Sequence, residues 1–216
     1  MADRAVGIPF AKEGIPFIAA PAGVTLLAGW LGWPVFAFLG GVATVFSAWF
    51  FRNPARVVPQ GPNLIVAPGD GKVIAIEEEF EPRYLKERCI RLTIFLNVFN
   101  VHINRMPCDG LIEDVQYQPG LFMVASKPEA TLRNEQNAVM IKTNEGIKVL
   151  CVQVAGLIAR RIVSWVSPRD QAIRGERFGL IRFGSRMDTF LPIGTNVRVA
   201  IGDHVKGGET IVGELP

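Results

Sequence analysis

One short pattern occurs twice in this chain, as Asp170-Gln171-Ala172-Ile173-Arg174-Gly175-Glu176 and, 33 positions later, as Asp203-His204-Val205-Lys206-Gly207-Gly208-Glu209. Each copy predicts a turn, a buried β-branched residue and a Gly-Glu step into the next strand. Two copies are too few for a solenoid, which needs at least three. We therefore predict a compact, β-rich α+β domain.

The segments around the two copies are also typical of short strands separated by Gly, Pro, Asn and Asp. A pattern of this kind resembles that of lipoyl-type and barrel-sandwich domains, so the expected fold is barrel-sandwich-like, with strands folded over one another in two quasi-symmetric halves. The segment 156–166 is compatible with helix or strand. The predicted strands are Leu64–Ala67, Lys72–Glu77, Ile90–Leu96, Ala138–Thr143, Ile147–Val154, Arg177–Phe183, Asn196–Ala200 and Glu209–Gly213.

The N-terminal quarter of the chain is apolar. From Gly14 to Phe51, 38 positions hold no charged residue and no histidine, a run too long for a signal peptide. Pro34, preceded by Gly32, divides it into Phe17–Gly32 and Pro34–Phe51, so we predict a hydrophobic helical hairpin that crosses a membrane twice or dips into one leaflet. The alternative is a buried core hairpin of a soluble fold. Residues 1–56 are expected to form this hairpin and a juxtamembrane linker, and residues 57–216 a second domain.

Charge and cysteine content restrict the remaining choices. The net charge is +3, and seven arginines lie within 27 positions, from Arg160 to Arg186. Such a segment suits phosphate groups or an anionic membrane surface, although a solvated basic face is equally compatible. No nucleic-acid-binding motif accompanies it. The spacing of the three cysteines and two histidines fits neither a metal site nor a disulfide framework, so we expect no metal and reduced thiols in the cytosol.

Three segments carry side chains capable of chemistry. Asp70 lies in a Pro-Gly-Asp-Gly-Lys sequence that, taken alone, indicates an ordinary turn. His102 is followed by Ile103-Asn104-Arg105, and a single histidine among apolar residues is more often structural than catalytic. Ser185 follows Gly184 just after the predicted strand 177–183, where a Gly-Ser pair usually marks a bend.

In this order, however, the segments resemble the phosphatidylserine decarboxylase family, in the short Gly-Ser-Arg form found in bacteria and archaea. The resemblance covers nearly the whole chain. The segments that carry it are Phe51-Arg52-Asn53-Pro54, Pro68–Lys72, Phe95–Pro107, Asn134-Glu135 and Phe183-Gly184-Ser185.

The resemblance implies a proenzyme that cleaves itself between Gly184 and Ser185 into a β chain, 1–184, and an α chain, 185–216. Ser185 would become a pyruvoyl group, the one covalent cofactor, which forms a Schiff base with the substrate amine. Decarboxylation needs such an electron sink because no ordinary side chain delocalises a carbanion. Asp70 and His102 match the family's processing and catalytic residues. The family's second histidine falls at Arg105 here.

The same resemblance implies a lyase that converts phosphatidylserine to phosphatidylethanolamine and CO2. Its α and β chains would form a heterodimer at the inner membrane. Basic residues flank the apolar run, Arg4 and Lys12 before it and Arg52 and Arg56 after it, so the positive-inside tendency predicts that both flanks and the catalytic domain lie on the cytoplasmic side. Asn104 and Arg105 are candidate substrate-binding residues.

Two other functions fit the residues. A membrane-anchored serine hydrolase would use Ser185, His102 and Asp70 as a triad, but the serine lacks the Gly-x-Ser-x-Gly elbow. A non-enzymatic barrel-sandwich module, such as a carrier domain, would need an attachment lysine, and Lys206 is the nearest candidate.

Overall fold

The computed structural model describes residues 9–120, 134–156, 161–182 and 185–216. The chain forms two compact units, one ending at Ala55 and the other beginning at Arg56. The first unit is helical and the second is built of strands.

The first unit contains a 3-10 turn, Lys12–Gly14, followed by helices α1, Ile15–Trp30, and α2, Pro34–Phe50. The helical unit is thus two helices, as the sequence predicts, and their ends lie within two residues of the predicted ones. The strands of the second unit are β1 (Leu64–Val66), β2 (Gly71–Glu81), β3 (Glu87–Leu96), β4 (Ile103–Arg105), β5 (Gly110–Gln118), β6 (Gln136–Lys142), β7 (Lys148–Ala155), β8 (Ile162–Ser164), β9 (Gln171–Ala172), β10 (Arg177–Ile181), β11 (Ser185–Pro192), β12 (Asn196–Val197), β13 (His204–Val205) and β14 (Ile211–Glu214).

Local sequence explains where the helices begin and end. Pro34 starts α2 at a position where its missing N–H costs nothing. Gly32 ends α1 with φ near +72°, and the Trp33 N–H reaches back to the Ala28 carbonyl at 2.8 Å, which is a Schellman cap. The helices approach closely at Gly40, where an added Cβ would lie 2.5 Å from Thr25 Oγ1. In the described part of the chain, no helix combines the length and the apolar character needed to pass through a bilayer.

The strand unit is dominated by one curled sheet of eight strands, in the order β13-β2-β3-β11-β7-β6-β5-β9. Two three-stranded sheets, β1-β14-β12 and β4-β10-β8, complete it. The main core lies between the inner face of the large sheet and the small sheets, and includes Leu96, Cys151, Phe178 and Met187. A second apolar cluster, around Leu150, Val152 and Phe190, lies on the outer face.

The two copies of the repeated pattern occupy equivalent places at opposite ends of the large sheet, as β9 and β13. In one half the Gly207 N–H donates to Asp70 Oδ1, and in the other the Arg174 N–H donates to Asp109 Oδ1, both at 2.8 Å. Gly175 and its counterpart Gly208 both have φ near +79°.

The backbone contacts of the two halves repeat as well. The Val73 N–H donates to the Asp203 carbonyl and the Ile112 N–H to the Asp170 carbonyl, both at 2.9 Å. The strand unit is therefore quasi-two-fold. The repeat differs from prediction in one detail, because the buried residue of the first copy is Ala172 rather than a β-branched residue, and Ile173 is exposed.

Several strands differ from those predicted. β5 and β11 were not predicted, because Glu113, Asp114, Arg186 and Asp188 interrupt their apolar pattern. Ser185 therefore begins a strand instead of following one at a bend. In the ambiguous segment 156–166, Ile162–Ser164 is a strand and residues 157–160 lie outside the described residues.

The arginine-rich segment is only partly a surface feature. Arg161 and Arg169 are exposed, but Arg174, Arg177 and Arg186 are buried. Burial of a guanidinium requires partners inside the protein, so these three arginines belong to the interior and not to a solvated basic face.

Candidate active site

Ser185 is the first residue of β11, the strand at the middle of the large sheet, and is fully buried. Its neighbours across the sheet are Leu96 on β3 and Ala155 on β7. Among the described residues, the Ser185 Oγ has no hydrogen-bond donor or acceptor as a partner. A buried hydroxyl without a partner is costly and needs an explanation, of which a catalytic role is one. Gly184, the other half of the predicted cleavage site, lies outside the described residues.

Asp70 lies at the same edge of the sheet as Ser185. β2 and β11 flank β3 and both run antiparallel to it, so both begin where β3 ends. Lys72, Phe95 and Arg186 lie in line across these three strands. With two strand spacings between them, the starts of β2 and β11 are about 10 Å apart. Asp70 directly precedes β2, as Ser185 begins β11.

The carboxylate of Asp70 is held from two sides. Arg56 Nη2 donates to Oδ2 at 2.7 Å and to Oδ1 at 2.9 Å. The Gly207 N–H donates to Oδ1 at 2.8 Å. These are charge-assisted hydrogen bonds, and they fix the orientation of an ionised carboxylate.

His102 lies in the loop between β3 and β4, and β3 ends at the edge where β2 and β11 begin. The side chain is buried, and Nδ1 lies 3.0 Å from the Asn100 carbonyl oxygen. Because a carbonyl only accepts, Nδ1 carries the hydrogen, and in the neutral ring Nε2 carries the lone pair. The His102 carbonyl in turn accepts from the Ile181 N–H at 3.3 Å, four residues before Ser185. The predicted residues Ser185, Asp70 and His102 thus all lie at one edge of the strand unit.

Arg105, at the position of the family's second histidine, is a buried cation. Nη1 donates to the Gly175 carbonyl at 2.9 Å. Burial, and then the nearby charges of Arg56 and Arg177, lower the pKa of Arg105 to about 10, while Asp70 and Glu209 oppose that shift. At neutral pH the side chain stays protonated, so it cannot exchange protons as a histidine would.

Asn104 belongs to a buried chain of amides. Asn137 Nδ2 donates to Gln153 Oε1, and Gln153 Nε2 donates to Asn104 Oδ1, both at 2.8 Å. This order points Asn104 Nδ2 toward Gly69, next to Leu96 and Met187. Direct substrate binding by Asn104 and Arg105 stays a prediction.

The cysteines lie apart from this edge. All three are buried and not joined by disulfides. Burial raises the pKa of Cys89 to about 11 and that of Cys151 to about 12, which favours the inert thiol form. Within the described ranges, no three or more His, Cys, Asp or Glu side chains converge as metal ligands would.

Sequence reasoning missed Arg56. In the sequence it is one of the basic residues that flank the apolar run, but in the structure it belongs to the strand unit and binds Asp70. Its position, two residues after the Phe51-Arg52-Asn53-Pro54 segment, was the available indication. The contact itself joins residues 14 positions apart, on either side of β1, and no periodicity in the sequence indicates such a contact.

A buried serine hydroxyl at the same edge as a carboxylate and a histidine is typical of enzymes that use the serine covalently. The comparisons with known proteins agree with that class. Residues 43–213 match the family model described as phosphatidylserine decarboxylase. The chain is 48% identical to a phosphatidylserine decarboxylase proenzyme of Syntrophus aciditrophicus, over 94% of this chain and 96% of the relative.

Other relatives give the same result. A proenzyme with the same description from Nitrosomonas europaea is 49% identical, over 95% of this chain and 94% of the relative. One from Desulfotalea psychrophila is 43% identical, over 96% and 97%. The chain therefore belongs to the phosphatidylserine decarboxylase family, whose members are pyruvoyl-dependent carboxy-lyases. The resemblance identified from the sequence is confirmed.

Proposed function

We propose that this chain is a proenzyme that cuts itself between Gly184 and Ser185 and then converts phosphatidylserine to phosphatidylethanolamine and CO2. The observation that carries the proposal is the Ser185 hydroxyl. It is fully buried at the start of the central strand, has no hydrogen-bond partner among the described residues, and lies at the same edge as Asp70 and His102.

Self-cleavage needs no reactant other than one water molecule, and it releases one ammonia. Ser185 Oγ attacks the Gly184 carbonyl carbon, its proton passes to a base, and the amide becomes an ester as the Ser185 nitrogen is protonated. Loss of the Ser185 α-proton then breaks the Cβ–O bond. The Gly184 carboxylate leaves as the end of the β chain, and a dehydroalanine begins the α chain. Water hydrolyses its imine tautomer, ammonia departs, and a pyruvoyl group remains.

The base for this step comes from the charged edge around Ser185. A hydroxyl is a weak nucleophile until a neighbour accepts its proton. Asp70 has four acceptor positions on its two oxygens, and three are occupied by Arg56 and Gly207. One position on Oδ2 is left for the proton of Ser185, directly or through a water. Arg105 stays cationic, so Asp70 acts here without the family's second histidine.

The residues present fit the group that cleavage would leave. The buried hydroxyl of Ser185 is the atom that the reaction consumes, and it makes no internal hydrogen bond in the described structure that the change would break. A pyruvoyl ketone supplies an electron sink for the electrons released when a carboxylate leaves as CO2. His102, with Nδ1–H fixed by Asn100, presents the Nε2 lone pair for holding and returning a proton. Ser185 and His102 are both buried, and low hydration at a site favours the loss of a charged carboxylate.

We also propose that the helical unit anchors the enzyme at a membrane surface. Large apolar side chains of α1 and α2 are exposed, including Trp30 at 82%, Leu26 at 75% and Phe38 at 70%. Together they form an apolar surface of the kind that marks membrane or protein contact. The substrate is a lipid whose serine headgroup lies at the bilayer surface. The cytoplasmic side of the inner membrane, suggested by Arg52 and Arg56 beyond the apolar run, is part of the proposal.

The remaining proposals concern organisation. Residues 1–56 serve as anchor and linker, residues 57–216 as the decarboxylase domain of barrel-sandwich type, and the α and β chains stay together as a heterodimer. The paired hydrogen bonds Gly207–Asp70 and Arg174–Asp109 support the quasi-symmetric arrangement that such a fold has. β11 supports the heterodimer, because all its residues belong to the α chain while its neighbours β3 and β7 belong to the β chain.

The intact masses of the purified protein under denaturing conditions test the proposal. Two fragments are expected, 1–184 and 185–216, the smaller one lighter than its serine form and blocked to Edman sequencing. Ser185→Ala should give only the full-length mass and no CO2 from phosphatidylserine. A serine hydrolase would stay in one piece. A single full-length mass from protein that releases CO2 would disprove self-cleavage.

A further inference from the structure

Arg56 makes the shortest hydrogen bond to the Asp70 carboxylate, and it is the only charged hydrogen-bond partner of that carboxylate among the described residues. Arg56 Nη2 lies 2.7 Å from Asp70 Oδ2 and 2.9 Å from Oδ1. The side chains are only 7% and 14% exposed. An ion pair so shielded from water holds both side chains in one orientation. Removing either partner would leave a buried charge unpaired, which is costly.

Arg56 is itself fixed in place. Nη1 lies 3.6 Å from Glu209 Oε2, and Glu209 Oε1 accepts from the Val57 N–H at 3.1 Å. The Val57 hydrogen bond is the largest effect on the pKa of Glu209 and lowers it. Burial is the next largest and opposes it, and the charges of Arg56 and Lys206 lower the pKa further. Glu209 ends the second copy of the repeated pattern, whose Gly207 N–H also binds Asp70. Arg56, Glu209 and Gly207 thus form one clamp around the Asp70 carboxylate.

The other half of the strand unit provides an internal comparison. Asp109 is the counterpart of Asp70, and it receives the equivalent backbone N–H, from Arg174, at the same distance of 2.8 Å. Asp109 is exposed, and in the described part of the chain it forms no ion pair. The repeat therefore supplies the backbone hydrogen bond in both halves. Among the described residues, an arginine paired with this aspartate is found only in the half that contains Ser185.

We infer that Arg56 is a positioning residue for self-cleavage, acting through Asp70. The inference rests on the function proposed above. Arg56 contacts both oxygens of the carboxylate, so the open acceptor position on Oδ2 is held in a single orientation. Arg105 lies close enough to attract the same carboxylate. Without Arg56, that cation and water would compete for Asp70, and the carboxylate would lose its fixed direction.

Cell-free synthesis followed over time tests this, because it shows the 216-residue precursor before it is cut. We expect Arg56→Met to slow the appearance of the 185–216 fragment by roughly ten- to hundredfold, the equivalent of one charge-assisted hydrogen bond. Arg56→Lys should recover part of the rate, because its charge reaches Asp70 without contacting both oxygens. Arg88→Met is the matched control, since Arg88 forms only an exposed pair with Glu78 at 3.5 Å. It should cleave as the wild type does.

A structural role alone is separated by one further measurement. Thermal unfolding of each variant in a Ser185→Ala background shows whether it folds. The inference is overturned if Arg56→Met cleaves as fast as the wild type, or if Arg56→Lys cleaves no faster than Arg56→Met. If the wild type itself gives no fragments, the proposed function fails instead.

Discussion

Arg186 and Asp188 lie two positions apart on the same face of β11, and Arg186 Nη2 is 3.0 Å from Asp188 Oδ2. Their side chains are 2% and 0% exposed. Because side chains alternate along a strand, the pair faces away from Ser185, toward the outer apolar cluster that includes Val152 and Val154. An ion pair is therefore built into the strand that begins with the reactive serine.

Removing one partner of this pair should destabilise the precursor strongly. Asp188→Leu leaves a buried guanidinium without its carboxylate, which typically costs about 3–5 kcal/mol. The measurement is urea unfolding in a Ser185→Ala background, where the chain stays whole. The double variant Arg186→Met/Asp188→Leu should recover most of the loss. Equal destabilisation by the single and double variants would contradict a role based on charge pairing.

Gly208 should tolerate no side chain. Its φ is near +79°, and an added Cβ would lie 2.7 Å from Arg105 Cδ, next to the turn that binds Asp70. Gly208→Ala should therefore lower both the free energy of unfolding and the rate of self-cleavage. Gly146 has a similar φ, near +84°, but its nearest neighbour would lie 4.0 Å away. Gly146→Ala should cost only the backbone strain, about 1–2 kcal/mol, and should leave cleavage unchanged.

The stability of the precursor should fall in alkaline solution partly because of its cysteines. Burial raises the pKa of Cys89 from 9.0 to about 11 and that of Cys151 to about 12. Folding thus favours both thiols, a contribution fully present below pH 9 and lost as the pH rises toward 11 and 12. Unfolding of Ser185→Ala at pH 7.5 and pH 10.5 checks this. The loss between the two values should be smaller in Cys89→Ala/Cys151→Ala, and an identical loss would refute the assignment.

The exposed side chains of α1 and α2 should control binding to lipid vesicles. Burying Leu26, Trp30 and Phe38 in a bilayer contributes about 2 kcal/mol each. Replacing all three by serine should lower the vesicle-bound fraction in a flotation assay at least about tenfold. Self-cleavage should continue, because it takes place within the strand unit. Val57→Ser, an equally exposed position outside the helices, is the control, and the anchoring role fails if both proteins float alike.

Local patterns in the sequence were sufficient for several elements. The uncharged run predicted two helices, and Pro34 and Gly32 predicted their junction, because helix ends depend on neighbouring residues. Alternating and β-branched segments predicted β3, β6 and β7 within a few residues. β11 was not predicted because Arg186 and Asp188, which are buried on the outer face of the sheet, carry charges that only their mutual pairing makes tolerable there.

The sequence by itself determined the family, the candidate residues Asp70, His102 and Ser185, and the doubling of the strand unit, since each is written in short contiguous segments. The tertiary structure alone decided that β2 and β11 begin at one edge, and that Arg56 holds Asp70. The physical reason is that register and ion pairing are set by contacts between residues far apart in the chain, in an interior where each buried charge must find a partner. No local pattern records which partner it finds.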